Sequence, residues 1–148
     1  MKAVEMWQEY QNVNPRIGDE MDAWAFGVEP DLLAQLVLDG TKTATASAFD
    51  LYDQEREPLP KEGSYDLILD GQGEAVCIIE TTKVSVVPFK DVSAEHAYKE
   101  GEGDRSLAYW REVHEPLFTA WLMEAGLTFN PASKVVLEEF KVVFKEGE

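Results

Sequence analysis

The chain has 148 residues, with 29 acidic and 13 basic side chains and a formal net charge of −16. That balance excludes a broad electrostatic footprint for a nucleic-acid backbone, where Lys and Arg must displace counterions from phosphates. A local basic pocket stays compatible with it, and a neutral or weakly charged small molecule fits better. Hydrophobic residues make up 45% of the chain, and no apolar run approaches the roughly 18 residues of a membrane span.

Length and composition predict one soluble domain over 1–148 with its own core, the N-terminal helix at about 1–14 being an extension. The segment Met1–Trp7 lacks the apolar stretch of a signal peptide, and the single Cys77 excludes an intramolecular disulfide. Both point to the cytoplasm, and no membrane partner is expected. Within Ala75-Val76-Cys77-Ile78-Ile79 the cysteine reads as a small core residue.

In chain order, residues 3 to 12 form a short helix with Val4, Trp7 and Tyr10 or Gln11 facing inward, broken by Asn14-Pro15. In Trp24-Ala25-Phe26, extended backbone would put both rings on one face. Pro30 to Asp39 is an amphipathic helix with Leu32, Leu33, Leu36 and Val37 on one stripe, closed by Gly40. A strand from Thr43 to Ala48 follows, and then about fifteen polar, Pro-interrupted residues from Phe49 to Gly63 that read as a loop. Ser64–Leu69, Glu74–Val87 and Lys134–Phe144 are strands, the first two joined at the hairpin signal Asp70-Gly71. A barrel would have to bend the long middle strand. Along it either Thr81, Lys83 and Ser85 or Thr82, Val84 and Val86 face outward. Between the strands, Asp91 or Ser93 caps a short helix through Tyr98, and Asp104 or Ser106 caps a longer one. Its stripe is Leu107, Trp110, His114, Leu117, Trp121 and Leu122, with a kink or fresh start at Pro116. The expected fold class is α+β, a small antiparallel barrel flanked by helices.

Lys42 and Thr45 leave a helix end and enter a strand start. Residues three apart on a regular strand point to opposite faces, so the two converge only if Lys42 lies in the turn or the strand twists sharply. The default reading of Lys42 is a solvated surface lysine; if it is functional, Lys42→Ala should leave stability within about 0.5 kcal/mol while activity falls by orders of magnitude. Beside a hydroxyl and partly desolvated, it could instead act as a base. Glu100 and Glu102 bracket Gly101 in a glycine-punctuated loop, where a carboxylate could exchange protons during hydrolysis. Glu100 is favoured because it sits at the helix exit, whereas Glu102 is flanked by glycines and better placed to set the next helix beside Asp104 and Arg105. Arg105 and Arg111 pair with these glutamates or hold a substrate anion. Trp24, Phe26 and Tyr65 are candidates for stacking on a planar base, each also a possible core residue. Neither His96 nor His114 has a second ligand at metal spacing, and no phosphate or dinucleotide loop is present, so no metal or cofactor is expected.

Two stretches, Leu32 to Ser47 with its Gly-x-Lys-x-x-Thr ending and His96-Ala97-Tyr98-Lys99-Glu100 through Arg111, together resemble the ASCH superfamily. The likeness runs from about Trp24 to Phe144 and implies a PUA-like barrel. One branch of that superfamily hydrolyses N(4)-acetylcytidine to acetate and cytidine with a lysine, a threonine and a glutamate. Its motifs fall on Lys42, Thr45 and Glu100, implying attack by the Thr45 hydroxyl, Lys42 as base and Glu100 moving protons, with direct activation of water as the variant. The branch carries an arginine where this chain has Ser47, so Ser47, Trp24, Phe26, Tyr65, Glu102 and Arg105 are the candidates for substrate binding. Other members resemble RNA-binding or RNA-cleaving proteins. A short single strand in the same cleft is the alternative to a nucleoside-like small molecule.

Overall fold

The computed structural model describes residues 1–146; the last two positions of the predicted domain, 147 and 148, lie outside the described residues. The helices are α1 (Ala3–Val13), α2 (Pro30–Leu38), α3 (Phe49–Gln54), α4 (Ala94–Glu100) and α5 (Leu107–Glu124), and a single 3-10 turn spans Phe89–Asp91. The strands are β1 (Asp22–Trp24), β2 (Ala44–Ala48), β3 (Tyr65–Leu69), β4 (Ala75–Pro88) and β5 (Lys134–Lys145). They form one curled sheet in the order β1-β3-β4-β5-β2, a half-barrel of the PUA-like kind. Every pair is antiparallel except β1 with β3, which is parallel.

Strand alternation sends neighbouring residues into different cores. Leu67 and Ile78 pack with Met6, Trp7 and Tyr10 of α1, whereas Ile68, Cys77 and Ile79 pack with Leu33, Ala34 and Val37 of α2. A third cluster joins Trp110, Phe118 and Leu122 of α5 to Phe89, Val92, Val135 and Leu137. Burial pushes the Cys77 thiol up to about 12, so it packs as a core residue.

Several local expectations change. On α1, Trp7 and Tyr10 are buried as expected, but Met6 rather than Val4 joins them, and Val4 is 57% exposed. On α2 it is Ala34, not Leu32, that faces the core. The polar stretch after β2 begins with α3, where Leu51 reaches the core and the Tyr52 hydroxyl meets Ser47 at 2.6 Å; irregular backbone starts only beyond it. Strand β4 follows neither alternation throughout, because its register shifts between Thr81 and Lys83; Thr81 is buried while Thr82 and Lys83 are exposed. Helix α5 runs through Pro116, which lies on the exposed face and cannot donate the helical hydrogen bond to the Glu112 carbonyl.

Two glycines clamp the α4–α5 connection onto the rest of the fold. Ser93 caps α4 by accepting from the His96 amide at 3.0 Å, and Gly101 ends it at φ +74°. A Cβ at Gly101 would sit 2.4 Å from the Thr41 carbonyl oxygen, and one at Gly103 would sit 2.4 Å from the Tyr109 ring. Close backbone approach to the turn before β2 is therefore what position 101 requires. Gly101→Ala combines left-handed strain with that clash, and thermal or chemical unfolding should show a loss of about 2 kcal/mol or more.

Candidate functional site

The turn after α2 aims Lys42 into the molecule. Gly40 adopts φ +82°, and the Thr41 and Lys42 amides both donate to the Leu36 carbonyl at 3.0 Å. The Thr43 amide then donates to the Lys99 carbonyl at 2.7 Å, tying the turn to α4. Lys42 thus precedes the regular strand and is not bound by its alternation, which lets it share a cleft with Thr45.

Lys42 is 1% exposed, not a solvated surface residue. Its Nζ donates to the Ala44 carbonyl at 2.9 Å and to Glu102 Oε2 at 2.8 Å, with the Glu100 carbonyl at 3.4 Å and Glu100 Oε1 at 3.5 Å. Four oxygens surround three ammonium protons, and the Phe26 ring lies 5.3 Å away. A nitrogen so enclosed is fixed in direction beside two carboxylates at the edge of the cleft.

Glu100, the last residue of α4, is also 1% exposed. Its Oε2 accepts from His96 Nε2 and from Trp110 Nε1, both at 2.7 Å. Its Oε1 lies 3.5 Å from Lys42 and 3.6 Å from His114 Nε2. Burial alone would raise the carboxyl, but the His96 hydrogen bond and the charges of Lys42, His114 and His96 outweigh it and draw it down to about 2. Glu102 does not organise the entry to α5 but turns inward onto Lys42; the cap at that entry is Ser106, with Asp104 accepting from its amide.

These groups open onto a cleft of about 960 Å³ between the concave face of the sheet, α5 and the segments 22–28 and 56–61. Thr45, Trp24, Phe26, Ser47 and Glu102 line it as anticipated. Two candidates do not. Tyr65 alternates to the other face of β3 and packs edge-on against Tyr10. Arg105 folds back instead, its guanidinium 3.7 Å over the Tyr98 ring and bonded to the Tyr98 and Thr41 carbonyls. Arg111 likewise bonds a backbone carbonyl, that of Lys90.

The sequence pattern of the ASCH domain family matches residues 22–144. The chain belongs to the ASCH domain family. That family is associated with RNA-binding or hydrolase activity. Among solved structures, an ASCH domain from Lactobacillus crispatus JV V101 is 33% identical, covering 95% of this chain and 92% of that one, with a TM-score of 0.89. A protein from Enterococcus faecalis V583 is 40% identical over 96% of this chain and 88% of that one, with a TM-score of 0.88. No curated protein is significantly similar in sequence. No helix among the described residues is long and apolar enough to cross a membrane.

The other end of this ASCH cleft holds residues that sequence reasoning missed. Glu138 faces the same strand register position as Thr45, and Asp66 lies across from it on β3. Burial, with Asp66 nearby and despite a hydrogen bond from Thr81, pushes Glu138 up to about 7. Asp66 is raised by burial too, against a hydrogen bond from Trp24. Each adjoins an unbroken apolar run, Val135 to Leu137 before Glu138 and Leu67 to Leu69 after Asp66. A carboxylate at such a position was the available signal.

Two outcomes follow for stability. Lys42→Ala leaves Glu100 and Glu102 beside an uncompensated, largely buried gap, so unfolding measurements should show a loss of about 3 kcal/mol or more rather than a surface-sized change. For Glu138 the unfolded carboxyl titrates near the ordinary 4.5 and the folded one near 7. The native state therefore holds an extra proton in that window, and its contribution to stability falls as pH rises through it. Glu138→Gln should flatten this dependence, by at most about 3 kcal/mol between roughly pH 5 and pH 8 in denaturant titrations.

Proposed function

We propose that this ASCH domain is an amidohydrolase that removes an acyl group from an unphosphorylated nucleoside, N(4)-acetylcytidine being the reference substrate. The observation that supports the reading is the enclosed Lys42 ammonium, with Glu100 and Glu102 beside it and the Thr45 hydroxyl on the same cleft. Lys42, Thr45 and Glu100 are also the positions that match the catalytic trio of the N(4)-acetylcytidine-hydrolysing branch.

In this reading Thr45 Oγ1 attacks the acyl carbonyl, and its proton leaves toward Glu100 Oε1, the carboxylate oxygen without a short hydrogen bond. Lys42 stabilises the negative charge that develops on the carbonyl oxygen, which suits a fixed cation in a site shielded from water. Collapse breaks the carbon–nitrogen bond, and the departing amine takes the proton. Water then repeats the attack on the acyl-threonine and releases the carboxylate. Trp24 and Phe26, 5.0 Å apart and edge to face, supply apolar wall for a planar base.

Charge selects against phosphate. The cleft is lined by six acidic residues and by three cationic ones, Lys42, Arg56 and Lys61. Lys42 is already matched to Glu102 and Glu100, so a phosphate would meet excess negative charge.

Purified protein should release acetate from N(4)-acetylcytidine at least about tenfold more efficiently than from its 5′-monophosphate, read by chromatography as kcat/KM. Thr45→Ser should retain turnover and Thr45→Ala should lose it by about 100-fold or more while staying folded. No turnover of any acylated nucleoside, together with tight single-stranded RNA binding and a steep salt dependence, would overturn the reading in favour of an RNA-directed module.

A further inference from the structure

The two oxygens of Glu100 are held very differently. Oε2 is anchored by two 2.7 Å hydrogen bonds, from His96 and Trp110. Oε1 has only Lys42 at 3.5 Å and His114 Nε2 at 3.6 Å, both well beyond the 2.7–2.9 Å of a charge-assisted hydrogen bond. The carboxylate is therefore fixed in direction while one oxygen, on a residue that borders the cleft, keeps capacity to spare.

The protonation pattern of His114 follows from its other nitrogen. Nδ1 lies 2.8 Å from the Trp110 carbonyl oxygen, which can only accept, so Nδ1 carries a hydrogen. In the neutral ring Nε2 then presents a lone pair. The ring is stacked on Trp110, with centroids 4.3 Å apart and planes 15° from parallel, and it also contacts Phe118. In that neutral form Nε2 and Glu100 Oε1 face each other 3.6 Å apart as two acceptors, and a proton taken up at Nε2 lies between them. Packing has fixed the ring so that this notch opens on the cleft that Lys42 and Thr45 line. A histidine that served packing alone would not need its free nitrogen aimed at a carboxylate oxygen in a cavity.

We propose that His114 is a further catalytic residue, a proton carrier whose Nε2 takes the proton from the attacking hydroxyl and returns it to the departing nitrogen, with Glu100 Oε1 stabilising the imidazolium formed in between. This rests on the amidohydrolase reading above and refines its proton path. The Thr45 oxygen–carbon bond forms as its O–H proton passes to Nε2. The carbon–nitrogen bond then breaks and the amine nitrogen takes that proton. Water attacks next, giving its proton to Nε2, and the Thr45 oxygen recovers it as the acid leaves. Nothing beyond substrate and water is consumed.

The division of labour is chemically reasonable. A carboxyl drawn down to about 2 holds no proton at neutral pH and is a weak base, but it is a good counter-charge. Imidazole is the side chain whose proton affinity suits transfer near neutrality. The charged group facing His114 is Glu100 at the end of α4, whose other oxygen His96 holds; Lys42 from the turn after α2 and Glu102 from the loop after α4 line the same cleft.

The test has one arm that needs no activity. Nitrogen-15 correlation spectra of the labelled wild-type protein should show His114 as the neutral ring with hydrogen on Nδ1 in mildly alkaline buffer. Adding cytidine should shift Nε2 and leave Nδ1 nearly unmoved. Hydrogen found on Nε2 instead, or an Nε2 signal indifferent to cytidine that demonstrably binds, would overturn the proposal. In the kinetic arm His114→Gln should reduce kcat on N(4)-acetylcytidine by about 100-fold with KM changed less than about threefold, and flatten the acid limb of the pH–rate profile. Added imidazole should restore part of the rate to His114→Gly or, if that variant does not fold, to His114→Ala. Wild-type kcat and an unchanged pH profile in a folded His114→Gln would likewise overturn it. If wild-type protein turns over no acylated nucleoside, the amidohydrolase reading fails, and the spectra with cytidine alone decide whether Nε2 is the open acceptor.

Discussion

The buried pairing of Lys42 with Glu100 and Glu102 is the constraint on which the site's architecture depends. An unpaired charge at either position would carry a desolvation cost of several kcal/mol. The fold therefore has to bring three segments together accurately: the turn after α2, the end of α4 and the start of the loop that follows it. It does so with backbone, through the Thr43 amide on the Lys99 carbonyl and through Gly101, whose missing Cβ lets the chain touch Thr41. Helix α5 adds the third side of the enclosure with Trp110 and His114. Net stabilisation from such a cluster is modest, because the attraction mostly offsets desolvation. What it provides is direction: a cation and a carboxylate that cannot rotate away from the cleft.

That rigidity accounts for what was legible in the sequence. The element types were readable because hydrophobic period, capping residues and turn dipeptides are local signals: Ser93 and Ser106 cap, Gly40 closes and Asp70-Gly71 turns. Lys42, Thr45 and Glu100 were legible only through motif resemblance, since no local rule distinguishes a buried lysine from a solvated one. The errors share a cause as well. The exposed Val4 of α1, the Tyr65 that packs on the face away from the cleft and the folded-back Arg105 are all decisions of tertiary packing that leave composition unchanged. Glu102 was misjudged for the opposite reason. Flanking glycines suggested freedom, yet an ion pair to a buried ammonium at 2.8 Å fixes its side chain.

The cleft also shows how one strand register joins two chemically distinct ends. Lys42, Glu100 and Glu102 form a fully charged end, enclosed by α4 and α5. On β5, Glu138 stands beside Thr45 and opposite Asp66, where burial and mutual repulsion favour the protonated acid. A carboxylic acid that keeps its proton near neutrality can donate one hydrogen bond and accept another, whereas the carboxylates at the far end can only accept. Thr45 sits on β2, which follows the turn holding Lys42 and pairs with β5 at Glu138.

Position 47 connects this asymmetry to the fold. The hydroxyl of Ser47 lies 2.6 Å from that of Tyr52. That contact fastens α3 to β2 and makes a neutral, two-hydroxyl wall from a stretch whose composition reads as loop. Burial raises the Tyr52 phenol, despite the Ser47 hydrogen bond, so the wall stays uncharged through neutral pH. A long cation at 47 would have balanced Asp66 and Glu138. In its absence the low-dielectric remedy is protonation, which is the direction in which both carboxyls move. The hydroxyl at 47, the short helix after β2 and the raised carboxyls thus have one explanation: this end of the cleft is organised around hydrogen bonding rather than fixed charge.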